Sequence, residues 1–144
     1  MTYSPLLGPI VALVAWTLVM LTWMAVSRMP AMRKAGIDVS KSVGGRGQNL
    51  EGVLPDEVNW KSHNYSHLVE QPTIFYAIVI VLVLMGQDYS INVWLGWGYV
   101  GLRIVHSIVQ ATINKVKYRF PLFALSTLCL VGLTVHAAVG LLHG

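Results

Sequence analysis

Charge is scarce in this sequence: of 144 residues only 11% are Asp, Glu, Lys or Arg, while 55% are hydrophobic. A soluble domain needs a charged surface to stay in water, so this balance excludes most soluble classes. Cysteine is scarcer still. With Cys129 alone there is no intrachain disulfide and no thiolate cluster for a structural metal. A thiol in an apolar stretch without a basic neighbour is expected to be buried and inert. Formal charge is absent altogether from Leu6 to Val26 and from Phe120 to Leu142. As helices rising about 1.5 Å per residue, both runs can cross a hydrocarbon core about 30 Å thick.

Two more apolar stretches, Thr73 to Met85 and Ile91 to Ile113, lie between them. The first reaches spanning length only if its helix extends back through Glu70 and His67 toward Trp60. The expected fold is all-α: an integral membrane four-helix bundle forming one domain over 1–144, with spans near 6–27, 57–86, 91–114 and 119–142. The first run lacks a basic leader and a small-residue cleavage site, so it is expected to remain as a span and not to be removed as a signal peptide.

Basic residues gather on two connections. Arg28, Arg33, Lys34, Lys41 and Arg46 follow the first span, and Lys115, Lys117 and Arg119 precede the fourth. The positive-inside rule places both connections in the cytoplasm and both termini outside. Basic loops beside anionic headgroups account for the net charge of +4, and no nucleic acid is needed as a partner. The glycines around Arg46 lack phosphate-loop spacing, so 36–54 reads as a flexible polar loop. Pro30 is expected to end the first helix near Ser27 to Pro30. Pro55-Asp56-Glu57 marks the start of the second, where acids suit the helix dipole, and Pro72 is expected to weaken or kink it. Tyr89, Trp94, Trp97 and Tyr99 read as an aromatic belt at the membrane interface.

The informative residues are polar ones in apolar helices. His63, His67 and Glu70 are spaced by four and three, as are Arg103, His106 and Gln110, with Asn114 one turn further. Such spacings put each set on one helix face. A charged side chain at a bilayer centre costs roughly 2.5–3.5 kcal/mol on insertion scales, and intramembrane ionisable groups are functional by default. One account is structural: a Glu70–Arg103 salt bridge gluing the helices of a non-enzymatic membrane protein that binds lipid or another hydrophobic ligand. A metal at His63, His67, Glu70 and His106 is a second, disfavoured by the adjacent Arg103 and by the lack of another carboxylate. A third is a hydrophilic, anionic ligand. Arg offers paired donors to a carboxylate, Glu accepts from an ammonium, and His, Gln and Asn add neutral donors. Arg28 and Arg119 add positive charge at the same level, so a zwitterionic peptide with several carboxylates fits, with a lipophilic co-substrate arriving from the bilayer.

The run from His67 to Tyr76, HLVEQPTIFY, resembles the signature segment of the MAPEG family, the membrane-associated proteins in eicosanoid and glutathione metabolism. So does Arg103-Ile104-Val105-His106, followed by Asn114 and Arg119. The resemblance covers essentially the whole chain. It implies a homotrimer of four-helix subunits binding glutathione at subunit interfaces near the cytoplasmic side, and a glutathione transferase or peroxidase acting on lipophilic electrophiles or hydroperoxides. By position, Glu70 would accept from the glutathione amino group. Arg103, His106 and Gln110 would contact its backbone or carboxylates, with His63 and His67 beside them. Arg28 would approach from a neighbouring subunit, and Arg119 would stabilise the thiolate. Many members carry Asn where His67 stands. Eicosanoid-branch members often carry Tyr at Gln110 and Arg at His63, so the likeness is to bacterial-type members, which implies a bacterial inner membrane.

Overall fold

A computed structural model describes residues 3–143. Within them the chain forms four helices, α1 (Leu7–Lys34), α2 (Asp56–Leu84), α3 (Ser90–Thr112) and α4 (Val116–His143). A 3-10 turn, Gly47–Leu50, interrupts the connection between α1 and α2. α1, α2 and α4 are each long and apolar enough to cross a membrane. α3 is apolar only in part, because it carries most of the buried polar side chains.

α2 begins where the sequence places it. Pro55 is its N-cap, and Asp56 and Glu57 occupy its first turn. It is continuous across Pro72, which is buried inside it. That continuity lifts His67 and Glu70 into the same rod as the apolar stretch after them. α1 differs from expectation: it does not stop at Pro30 but runs on to Lys34. A proline inside a helix removes one backbone bond, and Pro30 lies on the exposed side of α1, away from the core. The stop comes at Gly36, whose positive φ of 73° lets the Gly36 and Ile37 amides fold back onto the Arg33 and Met32 carbonyls. This is the left-handed closure that favours glycine.

α3 packs most extensively on α4, and α1 on α2. α2 and α3 each touch every other helix, so they form the middle of the bundle. Leu13, Phe75, Val79, Leu82 and Leu133 are fully buried between them. Outward faces are apolar instead of polar, with Val11, Leu18, Ile80, Leu128 and Val131 exposed. Apolar side chains outside and polar ones inside are what a lipid solvent demands. Tyr89, Trp94 and Trp97 are exposed near the start of α3, as an interfacial belt requires, but Tyr99 is fully buried. Cys129 is half-buried, not sealed in the core.

Candidate functional site

Arg103 is the anchor of the site. It leaves α3 at the centre of the bundle and is 1% exposed. Its guanidinium lies between two rings, 5.4 Å from the centroid of Tyr99 and 5.0 Å from that of Phe123. The Tyr99 ring is held in place. Tyr99 stacks on Phe75 with centroids 4.2 Å apart, and its hydroxyl donates to Gln71 Oε1 at 3.2 Å. Gln71 Nε2 in turn donates to Thr127 Oγ1 at 3.1 Å, so α2, α3 and α4 are tied around the arginine. Aromatic faces attract the cation but accept no strong hydrogen bond. The buried Nε and Nη2 of Arg103 have no partner.

The Glu70–Arg103 ion pair of the structural account does not form among the described residues. Ion pairs among the described residues are Lys41–Asp38 and His63–Glu51, and Glu70 is exposed on α2. The two stripes therefore do not neutralise one another within the described residues of one chain. Leaving one buried charge without its counter-ion costs several kcal/mol.

One turn along α3, His106 faces His67 of α2, the rings nearly parallel at 15°. His67 Nδ1 is buried without a partner. Both imidazoles line a cavity of about 210 Å³ with Val116, Arg119, Phe120 and Phe123. Arg119 is positioned by the turn before α4. Asn114 has a positive φ of 50°, and its Oδ1 accepts from Arg119 Nη1 at 2.8 Å. Asn114 thus does not extend the α3 stripe, since α3 ends at Thr112, and it serves instead as the support of Arg119. Gln110, also 1% exposed, keeps an unpartnered Oε1. Ser107 Oγ accepts from Trp16 Nε1 at 3.0 Å and from Asn64 Nδ2 at 2.8 Å, joining α1, α2 and α3.

His67 also lines a second, polar cavity of about 480 Å³, shared with His63, Glu70, Arg28 and Arg46. That volume is within the ordinary range for small-molecule sites. Within one chain, α1 itself brings Arg28 to the cleft. The connection expected to be a loose loop folds across its mouth. Arg28 Nη2 donates to the Gly47 carbonyl at 2.7 Å, and His63 Nε2 lies 2.9 Å from Glu51 Oε1.

All eight candidate residues thus lie near the basic end of the bundle, but in three settings. Arg103, His106 and Gln110 are buried on α3. His67 and Arg119 border the apolar cavity, and Arg28, His63 and Glu70 border the polar one. Sequence reasoning missed Arg46 and Glu51, which reach the cleft only because the connection folds back. It also missed the aromatic clamp of Tyr99 and Phe123. The spacing of four between Tyr99 and Arg103 was a usable signal for half of that clamp. No group of three or more metal-binding side chains converges among the described residues.

Arrangements of this kind suit an anionic, polar molecule in the larger cavity beside an apolar one in the smaller, with His67 common to both. The model of the MAPEG family matches residues 6–139, nearly the whole chain. No curated protein and no solved structure matches it.

Proposed function

Because the chain belongs to the MAPEG family, we propose that it is a membrane-bound glutathione-dependent transferase or peroxidase. In this reading it presents a thiolate to a lipophilic electrophile or hydroperoxide. The observation that carries the reading is Arg103, a guanidinium buried between two rings with two nitrogens unpartnered and no carboxylate of the described chain bound to it. A buried cation of this kind is completed by an anion from outside the chain.

The residues suit glutathione in both charge signs. Arg28 and Arg46 offer donors to carboxylates and Glu70 accepts from an ammonium in the same cleft, while His106 lines the neighbouring cavity and Arg103 is buried on α3. Glutathione would supply a thiol nucleophile. Arg119 would hold negative charge at that sulfur, raising the ionised fraction of a thiol whose ordinary pKa near 8.5 leaves it mostly protonated at neutral pH. Phe120, Phe123 and Val116 offer the second substrate an apolar wall beside that charge. Water is a poor competitor there, so a guanidinium acts on the developing charge more strongly than it does in bulk solvent.

The same reading includes assembly as a homotrimer, with both basic connections cytoplasmic and both termini outside. Isothermal titration of the purified protein with glutathione tests it directly. Saturable binding is expected, and an absence of binding at millimolar glutathione would overturn it.

A further inference from the structure

The connection between α1 and α2 is built as a strap. Its 3-10 turn, Gly47–Leu50, lies over the polar cleft, whose lining includes Arg46, Gly47, Gln48 and Glu51 from the strap itself. Its far end is pinned, because the buried Asn59 donates through Nδ2 to the carbonyls of Leu50 and Leu54. Its near end is held by two other contacts. The Gly47 carbonyl accepts from Arg28, and Glu51 pairs with His63.

Both latches use side chains of the cleft. A carboxylate and a carbonyl from the strap sit where an anionic ligand would be received. The pair is replaceable: His63 and Glu51 are 43% and 55% exposed, and exposed ion pairs contribute little. The Gly47 contact is close: a Cβ there would stand 3.0 Å from Arg28 Nη1, so the guanidinium would have to shift by a few tenths of an ångström.

We propose that the strap is a self-occupying lid: Glu51 and the Gly47 carbonyl hold His63 and Arg28 in place of ligand carboxylates, and the ligand must displace them to bind. The inference rests on the glutathione reading of the cleft that Arg28 and His63 line. Entry of an anion then exchanges internal bonds for ligand bonds and frees the strap, so occupancy of the cleft is reported at the cytoplasmic surface.

The test uses the full chain in nanodiscs, native and as Glu51→Ala, with hydrogen exchange of the 47–54 amides and glutathione titration. Glu51→Ala is expected to speed exchange across the strap and to tighten glutathione binding by about twofold to fivefold, the range of an exposed ion pair. Glutathione added to the native protein should speed the same amides. Gly47→Ala, which crowds Arg28, should loosen the strap without touching Glu51. Unchanged exchange in both variants would overturn the lid. So would weaker binding by Glu51→Ala, which would make Glu51 a ligand contact. Faster exchange in a pair of proteins that do not bind glutathione would uphold the latch and overturn the glutathione reading of the cleft.

Discussion

The imidazoles of His67 on α2 and His106 on α3 lie 6.1 Å apart between centroids, too far to share a hydrogen bond and close enough to form one wall. That wall separates the polar cleft from the apolar cavity beside Arg119, and His67 borders both. In the proposed glutathione reading, the bond between the two substrates would form at this boundary.

His67 tests the boundary. Its buried Nδ1 has no partner among the described residues, so His67→Leu should leave thermal stability little changed. It should weaken glutathione binding by about tenfold, the worth of one neutral hydrogen bond of roughly 1–1.5 kcal/mol. His67→Asn keeps a donor and should bind nearly as the native protein does. Calorimetry of the three proteins checks this, and equal affinity in all three would remove His67 from the site.

Arg103 makes a prediction of opposite sign for stability and binding. Replacing an uncompensated buried charge with an apolar residue of similar reach is neutral or stabilising in the empty protein. Arg103→Leu should therefore melt at the same temperature or higher, while glutathione binding is lost. A clear fall in melting temperature without ligand would show that the chain already satisfies the guanidinium.

Arg119 should separate chemistry from binding. Arg119→Ala is expected to slow single-turnover thiol transfer by about 10²–10³-fold, as removal of one preorganised charge stabiliser does. Glutathione affinity should move little. The thiolate absorbance of bound glutathione should fall in parallel, and Arg119→Lys should recover part of both. An unchanged rate would remove Arg119 from the chemistry, and no transfer by the native protein would favour a lipid-binding protein without thiol chemistry.

Asn114 carries two duties that substitution can divide. Its positive φ penalises an ordinary side chain by about 1 kcal/mol or more, and its Oδ1 holds Arg119. Asn114→Gly keeps the turn and releases the arginine, so it should melt like the native protein but transfer more slowly. Asn114→Ala should show the same slow transfer and a lower melting temperature.

Much of the bundle could be read from apolar run length. α1 and α4 follow from two charge-free stretches, and the start of α2 follows from Pro55 and the acids after it. The end of α1 was misplaced because Pro30 is a stronger local signal than Gly36, although the glycine geometry decides where the helix closes. Helix periodicity put His63, His67 and Glu70 on one face of α2, and the three line one cleft. It could not show that Glu70 turns outward while Arg103 turns in, since that depends on which helices flank each face. The strap lay beyond sequence reach for another reason. Its contacts join Glu51 to His63 and Gly47 to Arg28, pairs fixed by chain reversal and not by any repeat.

The inward polar face of α3 also bears on biogenesis. Alone in a bilayer, α3 would present Arg103, His106, Ser107 and Gln110 to hydrocarbon, and so would partition weakly. Only the turn from 113 to 115 separates it from α4, its most extensive partner. The two segments are therefore suited to leave the translocon as one hairpin, with α4 shielding the cargo of polar groups that α3 could not carry across by itself.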